Sequence, residues 1–199
     1  LESQQKSVVM LKNDGNVIKA AESSEEKPTV YIPMKFEDGQ WILPVNRSSA
    51  DHYYNVVTDT VGNPSGEADA DGNPTYTEND IIRASAAELA ECDYALVIVS
   101  NPQNATQGYD EATGKYVPIS LQYGEYTANS EAVRAESISG NIVETEVMGT
   151  YGVVTMNEKE NRSYYGESAT ITNTSDLEGI LYTAENMPED APVIVAVNT

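Results

Sequence analysis

Carboxylates are the commonest reactive side chains in this sequence, which carries 32 Asp and Glu residues. A few of them fall at spacings that could hold a cation. Asp69, Asp71 and Asn73 alternate along one stretch around Gly72, with Asp59, Glu67, Glu78 and Asp80 near them in the chain. Oxygen ligands at alternate positions are what calcium loops use. The full twelve-residue pattern of such loops is not met. The stretch therefore reads as a solvated acidic loop, and no metal or other cofactor is expected. A nucleophilic thiol would need a base beside it. Cys92 is the one cysteine and His52 the one histidine, and they lie far apart in sequence. Cys92 follows Ala87-Glu88-Leu89-Ala90-Glu91 and borders an apolar run, so it reads as a small buried core residue. Aromatic side chains are the other resource. Tyr109, Tyr116, Tyr123, Tyr126, Tyr164 and Tyr165 gather in one polar stretch. Each offers an apolar ring and a hydroxyl. Such residues hold a ligand or anchor a loop on a sheet, and the second use is the commoner. Trp41 could border a ligand, though a lone Trp is more often packing.

The charge balance narrows the partners. Eleven basic against 32 acidic residues give a formal charge of −21. That surface repels phosphate backbones and anionic lipid, so neither nucleic acid nor a membrane is an expected partner. It suits solubility and a neutral ligand. No apolar run reaches the roughly 18 residues that a spanning helix needs. The first residues lack the charged-then-apolar layout of a signal peptide. A single cysteine forms no intrachain disulfide, so the compartment, cytoplasmic or secreted, stays open.

The elements that must position these residues follow an α/β pattern. At 199 residues, 40% of them hydrophobic, the chain can bury a core. Ser3 to Asn13, stopped by Asn13-Asp14-Gly15-Asn16, reads as the tail of a helix with a glycine cap. Pro28 to Pro33 reads as a first strand, and Tyr53 to Val61 as a second. Gly39 to Val45 reads as an edge strand or extended loop because of Pro44. Gly62 to Asn79 is a polar loop. Asp80 to Glu91 has apolar residues at helical spacing, with Asn79 or Asp80 as its cap. Asp93 to Ser100 is a continuous apolar run, as expected of a parallel strand covered on both faces. Residues 101–174 are polar and tyrosine-rich, and long insertions of this kind are often functional. Ser175-Asp176-Leu177-Glu178 has the capping-box pattern that opens a helix. Pro192 to Asn198 reads as another buried parallel strand. Together these predict a three-layer αβα sandwich with a mostly parallel sheet. The chain reads as one domain, residues 1–199, with a core at about 28–100 and 175–198 and a loop-rich insertion at about 101–174. The strands at 29–33, 94–99 and 193–197 are expected to be neighbours. A helix that starts at residue 1 without a cap, and an end just after a core strand, suggest parts missing on both sides.

Five segments then resemble one family. Lys6-Ser7-Val8-Val9-Met10-Leu11-Lys12-Asn13-Asp14-Gly15-Asn16-Val17 resembles the "VVLLKNDGNVLPL" start of the second domain of family 3 glycoside hydrolases. Cys92 to Val99 is similar to their "ADYALVFV" strand. Tyr116 to Ala128 resembles the "YxPISLQYxPYTA" segment of one bacterial subgroup. Asn161-Arg162-Ser163-Tyr164-Tyr165-Gly166 and Pro192 to Asn198 are similar to that subgroup's "NRSYKG" and "PVIVVVN". These landmarks run in the family's order and span nearly the whole chain.

The resemblance implies a two-domain, retaining β-glucosidase or exo-glucanase. A barrel domain of the same polypeptide would carry the nucleophilic aspartate. The second domain would carry a glutamate as general acid/base. No Ser-Asp-Trp or Lys-His motif of the barrel occurs here, so the isolated chain is expected to be inactive. The family's acid/base commonly precedes an Asp-Arg pair by a few residues. The corresponding stretch is Met156-Asn157-Glu158-Lys159-Glu160-Asn161-Arg162, which makes Glu158 the first candidate and Glu160 the second. Asn161 stands where many members have Asp, which loosens the register; Glu144 and Glu146 are the next carboxylates to consider. Tyr109, Tyr123, Arg162 and Tyr164 are the candidate substrate-binding residues, since aromatic faces pack on sugar C–H surfaces. The expected ligand is a β-glucoside or short glucan. The rival reading is a stand-alone α/β module that binds carbohydrate or a protein partner without catalysis.

Overall fold

The computed structural model describes residues 27–106, 108–110 and 115–198. The helix expected over Ser3 to Asn13 lies outside them, as does the first segment of the family resemblance. In chain order the elements are β1 (Thr29–Tyr31), β2 (Lys35–Glu37), β3 (Gln40–Ile42), α1 (Arg47–Tyr53), β4 (Asn55–Val57), β5 (Thr60–Val61), β6 (Ile81–Ile82), α2 (Ala86–Leu89) and β7 (Tyr94–Ser100). There follow β8 (Gly108–Asp110), β9 (Lys115–Val117), β10 (Tyr126–Thr127), β11 (Ile138–Gly149), β12 (Gly152–Asn161), β13 (Ser168–Ala169), α3 (Thr174–Asn186) and β14 (Val193–Asn198). The chain divides into two compact units. One comprises the residues up to Ile98 with Gly179–Ala196, the other Val99–Glu178 with the residues after Ala196.

The first unit is built on a four-stranded, mostly parallel sheet in the order β14-β7-β1-β4. β1 runs parallel to β4, with Val30 opposite Val56, and parallel to β7, with Tyr31 opposite Ala95. The segments expected to be neighbours therefore are. Tyr31, Ala84, Leu89, Cys92, Ala95 and Met187 form the buried cluster on this sheet, with Val57, Tyr182, Ala191 and Val193 packed against it. Leu89 from α2 and Met187 just after α3 bring both helices onto it. Cys92 is a core residue, and burial, helped by the charges of Asp93, Glu88 and Glu91, pushes its thiol up from the ordinary range.

Four expectations need correction. Residues 53–61 are not one strand. Asn46 caps α1 by accepting from Ser49 N at 3.0 Å, so the helix runs to Tyr53 before β4 begins. Residues 80–91 are not one helix. Ile81 and Ile82 form β6, paired with β5, and α2 starts only at Ala86. Its cap is Ser85, whose hydroxyl and backbone exchange hydrogen bonds with Glu88 in a capping box, so neither Asn79 nor Asp80 does that work. The α3 helix begins at Thr174, which puts Ser175 inside its first turn, where no cap can sit. The Ser175 hydroxyl is buried without a hydrogen-bond partner among the described residues. Finally, β14 ends the sheet among the described residues, and Val195 and Val197 are exposed, so the strand is not buried as expected. Residues 39–45 resolve into β3, which pairs with β2 as a hairpin before Pro44 stops it.

One buried carboxylate ties the first unit together. Asp59 accepts from Tyr31 Oη at 2.6 Å, Met34 N at 2.9 Å, Arg83 NH1 at 2.8 Å and Ala84 N at 3.1 Å. Burial, then the charge and hydrogen bond of Asp59, push the Tyr31 phenol well above its ordinary range. The Arg83 guanidinium lies over the Trp41 ring at 5.3 Å and the Tyr182 ring at 5.8 Å. Removing one member of a buried ion pair strands the other, at a cost of about 3–5 kcal/mol. Asp59→Ala is therefore expected to lower the unfolding free energy by about that amount, read from urea midpoints with an unchanged slope. A loss below about 1 kcal/mol would show that the pair is dispensable.

Candidate functional site

The second unit contains a short hairpin, a pairing of two distant strands and a long hairpin. β8 pairs with β9, setting Tyr109 opposite Tyr116 with ring centroids 5.1 Å apart. β10 pairs with β13 through Tyr126 opposite Ala169. β11 and β12 form an antiparallel ribbon from Ile142 opposite Lys159 to Gly149 opposite Gly152.

At the foot of that ribbon the chain turns sharply. The Asn161 carboxamide oxygen accepts from Ser137 N at 2.8 Å and Ser163 N at 2.9 Å. The buried Ser163 hydroxyl donates to Arg134 O and accepts from Tyr165 N at 3.2 Å. These bonds fix Arg162 and Tyr164 on either side of Ser163.

Arg162 and Tyr164 line an open groove of about 710 Å³, together with Tyr116, Tyr126, Ile119 and Leu121. The Arg162 guanidinium lies 5.3 Å over the Tyr116 ring. Its Nε is buried without a hydrogen bond among the described residues, and Glu160 Oε2 lies 3.5 Å away, an ion-pair separation. The 118–122 wall is held by Asn104, whose carboxamide accepts from Ser120 N at 3.0 Å and donates to Ser120 O at 3.3 Å. Aromatic rings, two exposed aliphatic side chains and one cation make a surface suited to a ligand with apolar faces and polar edges.

The other candidates fall outside this lining. Glu158 is exposed on β12, opposite Val143. Tyr109 is exposed and touches the groove only through its ring contact with Tyr116. Tyr123 spends its hydroxyl on the Ser100 carbonyl, and burial, then the charge of Asp176, raise its phenol. Glu144 and Glu146 face Asn157 and Thr155 across the ribbon. Sequence reasoning passed over Ile119 and Leu121. Their alternation in Pro118-Ile119-Ser120-Leu121 was the available signal, since extended chain points alternate residues the same way. Trp41 is buried, donates to Thr77 O at 3.0 Å and packs on Phe36, so it lines no ligand surface.

In the acidic loop of the first unit, exposed Asp69 is bonded to its own loop. Asp69 accepts from Asp71 N at 2.9 Å, Asn73 N at 2.7 Å and Asn73 Nδ2 at 2.9 Å. These bonds, the Asn73 side chain first, hold its carboxyl below the usual range. Among the described residues no group of three or more His, Cys, Asp or Glu is placed to hold a metal ion.

No family model, curated protein or solved structure matches the chain.

Asp80 closes the same loop, accepting from Thr77 N at 2.7 Å and Ser65 N at 3.0 Å. The Thr77 amide is the larger cause, and together they hold the Asp80 carboxyl at about 2, against an ordinary 3.8. A depressed carboxylate stabilises the fold fully above its ordinary value and loses that contribution as pH falls towards its folded one. Asp80→Asn should therefore be less stable than the parent at pH 7, and the gap should shrink from about pH 4 down to about pH 2. Thermal unfolding of both proteins across that range reads it; a constant gap would contradict the assignment.

Proposed function

We propose that this chain is the second-domain part of a retaining β-glucosidase-like enzyme of the family 3 glycoside hydrolase kind, with its sheet and helices in a three-layer αβα sandwich. The observation that carries this reading joins sequence to geometry. Two of the stretches that resemble the family, Tyr116–Ala128 and Asn161–Gly166, lie apart in the chain, yet they line one groove. Its tyrosines offer faces for sugar C–H surfaces, and Arg162 and Gln122 offer donors for hydroxyls. The order of the family-like segments along the chain supports the same reading.

Retaining hydrolysis needs two carboxyl groups about 5–5.5 Å apart across the scissile bond. One attacks the anomeric carbon. The other protonates the leaving oxygen and then activates water. In this proposal a barrel domain of the same polypeptide supplies the nucleophile, and Glu158 or Glu160 is the acid/base. Glu160, beside Arg162, is adjacent to the groove; Glu158 sits two residues back on the same strand and is solvated. In this proposal closure of the barrel over the glutamate is the step that completes the carboxyl pair. The substrate would be a β-glucoside or short glucan.

The test uses the longer polypeptide and the bare chain in parallel. The bare chain should not turn over aryl β-glucosides, because one carboxylate cannot perform a double displacement. In the longer polypeptide, alanine at the true acid/base should slow cleavage of poor leaving groups by about 10²–10⁴-fold. Substrates with good leaving groups should still form the glycosyl-enzyme, and azide should restore its turnover. Glu158→Ala is measured first and Glu160→Ala second. Equal loss for all leaving groups, without azide rescue, removes a residue from the role. Binding of glucans by the bare chain, with no hydrolysis by the longer one, would favour a carbohydrate-binding module instead.

A further inference from the structure

The groove of the second unit differs in charge from the chain around it. The sequence carries 32 acidic and 11 basic residues, yet among the described residues that line the groove Arg162 alone is charged, and no carboxylate is present. The Arg162 guanidinium carries five N–H donors in one plane. It lies 5.3 Å over the Tyr116 ring, a contact that uses none of those donors. Glu160 Oε2 stands 3.5 Å from Nε, and a part-exposed ion pair without a hydrogen bond contributes little. Among the described residues the guanidinium makes no hydrogen bond. The same holds for the hydroxyls of Tyr116, Tyr126 and Tyr164, which line the groove together with exposed Ile119 and Leu121.

We propose that this groove binds a sugar acid, a pyranose ring bearing one carboxylate as in a hexuronate, with the carboxylate on Arg162. A planar fork with unused donors is the natural partner of a carboxylate, which it takes through two parallel N–H···O bonds. A guanidinium stacked on a ring is already oriented, so less freedom is lost when the ligand arrives. The tyrosine hydroxyls choose the ring that carries the carboxylate. An aromatic acid would stack on the phenol rings but offer nothing to three hydroxyls. A pyranose presents an apolar C–H face to the rings and its own hydroxyls to theirs, each of which can donate or accept.

The formal charge of −21 limits how much negative charge the ligand can bring. Dianions and long polyanions are repelled by the field of the whole chain. A single carboxylate meets Arg162 at close range while adding the least to that repulsion. The inference concerns binding by the bare chain and does not depend on the hydrolase reading. Within that reading, the acidic sugar would be a neighbour of the glucoside that is cleaved.

The test is an NMR titration of the 199-residue chain with methyl β-glucuronide, methyl β-glucoside and benzoate, each to about 10 mM, past the millimolar range of weak ligands. The two sugars differ in the carboxylate, and benzoate has the carboxylate without the hydroxyls. The glucuronide should bind at least about ten-fold more tightly than the glucoside, and more tightly than benzoate. Arg162→Gln should bring the two sugars to within about two-fold of each other, and Arg162→Lys should keep part of the preference, since a point charge replaces the fork. Leu121→Glu serves as a second variant. Leu121 is 85% exposed, so the fold does not rest on it, and a carboxylate there should weaken the glucuronide while leaving the glucoside nearly unchanged. No binding of the glucuronide, equal binding of the two sugars, or tighter binding of benzoate would overturn the proposal. So would a glucuronide preference that survives Arg162→Gln or Leu121→Glu undiminished.

Discussion

Burying a carboxylate without partners costs several kcal/mol, and the Asp59 side chain is fully buried. Its four hydrogen bonds come from β1, from the chain just after β1, and from the pair of residues that precede the capping box of α2. None of those segments is next to Asp59 in sequence. The carboxylate is tolerable only when all of them have arrived, so its placement and the closure of the first unit are one event. Arg83 extends the coupling further. It answers the charge of Asp59 and is flanked by Trp41 from the β2–β3 hairpin and Tyr182 from α3. Tyr182 in turn donates to Ala84 O at 2.8 Å. A polar centre thus sits beside the apolar cluster of Tyr31, Leu89 and Met187, and Tyr31 belongs to both.

The parts of this fold that were legible in the sequence are those fixed by burial. β7 is a run of apolar residues too short for a helix and flanked on both sides in the sheet, and burial of that kind leaves its mark in composition. Cys92 was legible as core for the same reason. What escaped was decided by single polar side chains. The capping boxes of Ser85 and Ser175 look alike in sequence, but only Ser85 stands one residue before a helix. Asn46 starts a helix in a stretch whose Val and Tyr content favours a strand. Ile81 and Ile82 satisfy a helical pattern and are nonetheless in a strand, because β5 pairs with them. Local hydrogen bonding and pairing override pattern at such places. β14 has the composition of a covered strand, but an edge position depends on strand order, which a single strand's composition does not encode.

The groove was legible in pieces. Its tyrosines and Arg162 stood out by type, and Ile119 and Leu121 did not. That the segment around Tyr116 and the segment around Tyr164 border one space follows from the β8–β9 and β10–β13 pairings and from the Asn161 turn. Of these, the β10–β13 pairing joins residues far apart in the chain, Tyr126 and Ala169. Tyr123 shows the limit of reading function from residue type, because its hydroxyl is committed to a backbone carbonyl.

The first unit is made of two separate stretches of chain, with Val99–Glu178 between them. During synthesis β1, β4 and β7 are complete long before α3 and β14 emerge, so half of the core waits for its second half. If that intervening stretch were a flexible tether, closing it would cost on the order of 4 kcal/mol in chain entropy. A stretch that folds into its own compact unit first acts as a short tether instead. The second unit, whatever it binds, then also sets the rate at which the first can finish folding. Substitutions that weaken it should register as slow, aggregation-prone assembly of the first unit.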